Sequence, residues 1–395
     1  MTTARTATPS TARAINDRLA LDLLLEQGPL TATQLKELTG LSRPTVADLL
    51  ERLQHSGLVT MVGESGAVRR GPNARLYGLV ADRAYIAGID VRTVGVAITV
   101  ADLTGRTRAT ARLPAAPDTA PADLVDGAVR ALVDATRRAG TDTLHTIAVG
   151  APGLIDPAAG ELSGTGGLPR WHADLVRALR EQLGVPVLLE NEVNLAGIAE
   201  QRLGSARDRD TFVLLWLGHS VGAAAILDGR LRRGASGGTG EIGFLPVPGT
   251  SMLPTATGCD GGFHGLAGSA AVCALAREHG LPAPAADDAP AAEAAVRAAL
   301  AAGEDGAAFL DVLAERVALG AAAVCVVLDP GCVVLGGEVG TAGGTELADR
   351  VARRLAGLSP LRTEVRAGTV SGSAVLGGAV LIALDAVHQD LFGGP

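Results

Sequence analysis

Aromatic side chains are scarce, with five Phe, two Trp and two Tyr in 395 residues. Hydrophobic residues still make up 47% of the chain, so any core is built from Ala, Val, Leu and Ile. Four cysteines, Cys259, Cys273, Cys325 and Cys332, are too few for a disulfide scaffold of this length. Lysine is nearly missing: Lys36 is the single one among 34 basic residues, a compositional bias that carries no mechanism. The longest apolar run, Val317 to Leu328, stops at Asp329-Pro330 and is too short to span a bilayer. The first fourteen residues carry arginines but no apolar stretch, which excludes a secretory signal and reads as a disordered leader. The expectation is a soluble, cytoplasmic protein with no membrane partner.

The length implies more than one domain. The net charge of −8 argues against a protein that is basic throughout, but it is unevenly spread. Residues 1–80 carry +2 and the remainder −10, which permits an anionic partner at the head alone.

The head reads as three helices. Ile15, Leu19, Leu21 and Leu23 to Leu25 mark a buried first helix that ends near Gly28-Pro29. Thr31 suits an N-cap for a second, with Leu35 and Leu38 on one face and Gly40 as its stop. Ser42 then caps a third helix with Pro44 in its first turn, and Val46, Leu49, Leu50 and Leu53 form its apolar stripe. Two short helices joined by Thr-Gly-Leu-Ser are the pattern of a helix-turn-helix. Its second helix would enter a major groove by its N-terminal end, presenting Ser42, Arg43, Pro44 and Thr45, with Arg52 further along. Leu58 to Val62 and Leu76 to Leu79 read as a hairpin whose loop carries Arg69, Arg70, Asn73 and Arg75. A basic loop stiffened by Gly71-Pro72 is a wing that can reach phosphates. The alternative is an ordinary helical hairpin with solvated polar residues.

After Asp82 the texture changes to strands and glycine turns. Tyr85 to Val91 and Val94 to Val100 form one strand–turn–strand; Phe212 to Leu217 and Val221 to Leu227, ending in Asp228-Gly229, form a second. The repetition suggests an internal duplication with a cleft between two lobes. Strand Pro186 to Leu189 ends in Glu190-Asn191-Glu192, and polar residues at a strand's C-terminal end are typical of α/β ligand sites. Residues 281–308 read as a loosely connected surface helix pair.

The order of G-A-P-G-L-I-D (150–156), L-P-R-W (168–171), L-E-N-E-V-N-L-A (189–196), G-T-G-E-I-G (238–243) and V-V-L-G-G (333–337) resembles the ROK family of sugar kinases and repressors, and the winged head resembles its repressor branch. The resemblance implies an α/β fold: a winged helix-turn-helix over 15–80, then a two-lobed actin-like, ribonuclease-H-like body. Lobe 1 would span 81–200 and lobe 2 201–385, with the C-terminal helix packing back on lobe 1. Residues 1–14 would be a leader and 386–395 a tail. It also implies a dimer or tetramer and a sugar in the cleft. By the same resemblance Asn191, Glu192 and Glu241 match positions that bond sugar hydroxyls. Phe244 replaces a histidine, His264 stands where a further glutamate would be, and Gly153 belongs to the same ligand set.

The kinase features of the family are altered. Glu192 replaces the catalytic aspartate, and general-base geometry is strict at the scale of a hydrogen bond. The phosphate loop reads Asp90-Val91-Arg92-Thr93-Val94, without the glycines that let backbone approach phosphate. The family's zinc pattern of one His and three Cys keeps only Cys259, so no metal and no cofactor are expected. The sequence therefore points to a non-enzymatic DNA-binding regulator, most simply a repressor, acting on a palindromic double-stranded operator under control of a sugar-like effector. An ATP-dependent sugar kinase with an accessory head, or an effector-independent DNA-binding protein, are the alternatives.

Overall fold

Proline in a helix's first turn gives up an N–H that has no partner there, and the first helix opens on one. α1 spans Pro9–Gln27 in the computed structural model, which describes residues 9–65, 74–116, 118–162, 169–282, 286–370 and 373–393. Residues 9–14, expected in the disordered leader, are therefore helical. β1 (Leu30–Thr31) runs into α2 (Ala32–Thr39). Thr31 Oγ1 accepts from the Gln34 backbone N–H and Gln34 Oε1 accepts from the Thr31 N–H, a reciprocal cap. Gly40 ends α2 at φ 70°, and Ser42 caps α3 (Arg43–His55). Ala20, Leu21, Leu24, Leu35, Val46, Leu49, Leu50 and Leu53 form the buried centre. Ile15, Leu19 and Leu38, expected inside, are instead exposed, because so small a unit has more apolar residues than interior to hold them. β2 (Val59–Ser65) and β3 (Ala74–Leu79) pair antiparallel, and β1 lines the other edge of β3.

The body contains two sheets of the same topology. In the first, β4 (Tyr85–Arg92), β5 (Gly95–Asp102) and β6 (Thr107–Pro114) form an antiparallel meander. After α4 (Pro121–Arg138), β7 (Thr146–Ala151) pairs parallel to β4. A small hairpin of β8 (Ile155–Asp156) and β9 (Glu161–Leu162) leads on to α5 (Trp171–Leu183), β10 (Val187–Asn191) and α6 (Glu192–Arg202). β10 adds parallel to β7.

The second sheet repeats the scheme with β11 (Phe212–Leu217), β12 (Val221–Leu227) and β13 (Arg230–Arg232) as the meander. Four helices follow: α7 (His264–Ala267), α8 (Ser269–Glu278), α9 (Ala289–Ala301) and α10 (Glu304–Leu328). Then come β14 (Cys332–Gly336), α11 (Gly337–Leu358), β15 (Glu364–Ala367) and α12 (Ala374–Leu391). The strand orders, β10-β7-β4-β5-β6 and β13-β12-β11-β14-β15, give the two halves the same connectivity.

Two regions differ from the sequence reading. Residues 281–308 are no surface pair: α9 buries Ala289, Ala291, Ala292, Ala295, Val296 and Ala299 among α8, α10 and α11. Alanine here is the small side chain that lets helices approach closely. Of the expected tail, residues 386–391 are the last part of α12 and Phe392 is its C-cap, with His388 and Phe392 buried; residues 394–395 lie outside the described residues.

α12 meets the length and composition test for a membrane span, yet its apolar face lies on β4, β7 and α6. Glycine makes this seat. A Cβ at Gly88 would meet Val380 at 2.9 Å, one at Gly150 would meet Val375 at 2.7 Å, and one at Gly378 would overlap the Leu195 carbonyl. Gly378→Ala should therefore cost roughly 1–3 kcal/mol in urea unfolding. Gly357→Ala on α11, where a Cβ meets nothing within 4 Å, should be neutral or stabilising. Equal effects of the two substitutions would contradict this packing.

Candidate functional site

The head presents the N-terminal end of α3. Ser42 Oγ accepts from the Thr45 backbone N–H at 3.3 Å, and the two hydroxyls lie 2.8 Å apart, so both are partly committed to the cap. Arg43 and Pro44 are exposed. Arg43 has no ion-pair partner among the described residues, leaving its guanidinium available to an incoming anion. Arg52 pairs with Asp17 of α1 at 2.6 Å and with Asp48, and these carboxylates raise its pKa against the cost of burial. It ties α3 to α1 and keeps 31% of its side chain exposed. Arg75 is exposed on β3, across from Glu64. The wing residues Arg69, Arg70 and Asn73 lie outside the described residues.

In the body, Asn191 ends β10 and caps α6. Its Oδ1 accepts from the N–H of Val193 and Asn194 at 2.8 and 3.3 Å, and its Nδ2 donates to the Gly153 carbonyl at 3.0 Å. Gly153 holds φ 104°, a conformation side-chain-bearing residues rarely adopt. Asn191 thus fixes the 150–156 loop and keeps one Nδ2 hydrogen for a ligand. Glu192 is the first residue of α6. Burial, with Asp90 and Glu338 adding and Arg92 opposing, pushes its carboxyl up to about 8. Glu241 is exposed, and desolvation still raises it. Phe244 closes a short helical turn and is partly exposed. Burial lowers His264, whose Nδ1 has no partner among the described residues. The loop carrying Glu241 meets the Gly153 loop directly, with Gly238 near Leu154 and Gly237 against the Ile155 carbonyl.

Charges that sequence reasoning missed span the cleft. Arg92, at the end of β4, donates to Asp90 Oδ2 at 2.9 Å and across to Glu338 Oε1 on α11 at 2.5 Å. Burial works against the Arg92 charge, but Asp90, Glu338 and Glu192 outweigh it and hold its pKa above the ordinary value. A second tie joins Arg233 Nε to Glu190 Oε2 at 2.6 Å. Asp90, Arg92, Glu200, Trp216, Glu338 and Ser373 line a cavity of about 820 Å³. Arg92 is the last residue of β4 and Glu338 follows the C-terminal end of β14, and that position was the signal available in the sequence.

The groups implied by the resemblance fit poorly. A nucleotide's phosphates need bare backbone beside β4, and that turn is shortened and carries the Arg92–Glu338 pair. A closed zinc site needs four N or S ligands; Phe244 offers none. Cys259, Asp260 and His264 place three donor atoms within 4.8 Å of one another, a single sulfur and a single nitrogen among them.

The Glu192 environment predicts a pH effect. An unfolded glutamate titrates near 4.5 and the folded one near 8, so the folded state holds an extra proton between these values. Stability conferred at low pH is lost as pH rises through that interval. Glu192→Gln should match the parent's melting temperature at pH 5 and exceed it by a few degrees at pH 8.5. A gap independent of pH would refute the assignment.

A sequence model of the ROK family matches residues 86–386, and one of the IclR helix-turn-helix domain matches residues 20–63. The chain is 25% identical over 237 residues to the xylose repressor of Bacillus subtilis (strain 168), covering 60% of this chain and 61% of that one. It is likewise 25% identical over 240 residues to the DNA-binding transcriptional dual regulator NagC of Escherichia coli (strain K12), covering 60% and 58%. The matched region thus spans about three-fifths of each relative. In fold the chain is similar to a ROK family transcriptional regulator described as a homolog of the E. coli MLC protein, at TM-score 0.74 and 20% identity, covering 96% of this chain and 98% of that one. A ROK family glucokinase from Streptomyces griseus, solved with glucose and AMPPNP, is similar at TM-score 0.64 and 23% identity, over 76% of this chain and 100% of its own. The family match runs through both duplicated sheets and the helices that join them, and the chain belongs to the ROK family.

Proposed function

We propose that the chain is a sugar-responsive DNA-binding transcriptional regulator, acting as a repressor and as a homodimer in the cytoplasm. The observation that carries the reading is the exposed, capped N-terminal end of α3, with Arg43 unpaired among the described residues, on a winged head joined to a two-lobed body. Arg43 would reach a base edge or phosphate while the Ser42–Thr45 cap holds the helix end against the backbone. Two heads on a symmetric dimer suit a palindromic operator. The relatives named xylose repressor and NagC support the same reading.

The cleft suits a neutral polyol, with Asn191, Glu192, Glu241 and His264 as polar groups and Phe244 as an apolar face. Glu192 is largely protonated at neutral pH, so it would donate a hydrogen bond to a sugar oxygen. That protonation, with the Arg92–Glu338 bridge, supports a body that does not transfer phosphate. An effector would act by binding one lobe arrangement better than the other and so shifting how the two heads are presented.

Arg43→Ala should weaken binding to a duplex selected by the wild-type chain by roughly 1–3 kcal/mol, while a panel of unphosphorylated sugars should raise the melting temperature. ATP-dependent phosphorylation of any of those sugars, abolished in Glu192→Gln, would establish a kinase instead. Unchanged duplex binding by Arg43→Ala would remove the head assignment.

A further inference from the structure

Asp90 is 2% exposed and bonds on one side only. Its Oδ2 accepts from Arg92 Nε at 2.9 Å and from Ser373 Oγ at 2.8 Å, while Oδ1 is buried without a partner among the described residues, and Asp90 is one of the residues lining the 820 Å³ cavity. Ser373 is also the N-cap of α12, accepting from the Leu376 N–H at 3.1 Å. One carboxylate thus touches both the inter-lobe ion pair and the start of α12.

The far end of α12 touches the head. His388 Nε2 donates to the Leu103 carbonyl at 2.8 Å, and the His388 carbonyl accepts from Arg18 Nη1 of α1 at 3.2 Å. Arg18 also lies 5.6 Å from the centroid of the Phe392 ring, which stacks on His388. Between the two ends the helix is seated at Gly88, Gly150, Leu195 and Gly105, where Leu384 would meet an added Cβ at 2.9 Å. Buried residues of α12 and of the head belong to one continuous core. An element packed this closely moves as a unit.

We propose that α12 is a strut coupling the cleft to the head: a ligand donor, a hydroxyl or an ammonium, received by Asp90 Oδ1 alters the Asp90–Ser373 contact, and α12 carries the change to Arg18 and α1. The inference rests on the regulator reading and assigns its internal linkage. Eighteen helical residues span roughly 27 Å, so Ser373 and Arg18 share no direct contact. Substitutions so far apart normally act independently.

The test is a double-mutant cycle on the full chain, using a duplex selected from a random-sequence pool by the wild type. Ser373→Ala should change the duplex Kd by roughly fivefold or more; the same change in an Arg18→Ala background should shift it by less than about twofold. Asp90→Asn serves as the cleft-end variant if Ser373→Ala fails to fold. An equal Kd ratio in both backgrounds overturns the strut. Should no duplex be selected, the regulator reading falls, and amide hydrogen exchange decides the strut alone. Faster exchange in Ser373→Ala at both residues 385–391 and residues 15–24 supports it, whereas a change confined to residues 373–380 overturns it.

Discussion

The crossing of α12 over α6, where Gly378 lies on the Leu195 backbone, is the contact on which the remaining architecture rests. It brings a long apolar helix onto the first sheet at its most buried strands, β4 and β7. The same helix reaches the head at Arg18 and the cleft through its Ser373 cap. Had Gly378 a side chain, the helix would stand off the sheet, and the core shared by head and body would open. Close helix packing through glycine and alanine is how a chain with so few aromatics fills its interior, and α9 repeats the solution in the second half.

The cleft obeys a different constraint. Charges removed from water must be paired or they destabilise the fold, and here the pairs cross between the two halves. Arg92–Glu338 and Arg233–Glu190 each join a residue of one half to a residue of the other. Burial, with the neighbouring Asp90 and Glu338 carboxylates adding to it and Arg92 opposing, raises the Glu192 carboxyl.

Much of the head was legible along the chain because its signals are local. Thr31, Gly40, Ser42 and Pro44 act within one turn of their own position, and the structure has each cap where the spacing implies. The duplicated strand–turn–strand units were legible for the same reason. The Arg52 ion pair was not legible because its partner Asp17 lies on another helix, 35 residues earlier. Ile15, Leu19 and Leu38 were misread because periodicity marks an apolar face but not how much interior exists to receive it.

The sequence by itself determined the helix-turn-helix head, the duplicated α/β body and the family, since caps, turns and ordered motifs are properties of neighbouring residues. Only the tertiary structure decided what the cleft's charges do. Glu338 and Ser373 lie as far as 283 positions from the neighbouring Asp90 and Arg92, and no local pattern links them to that pair. Their partnership exists because two sheets and the last helix converge on one buried point, where each charge must find a partner or remain a cost.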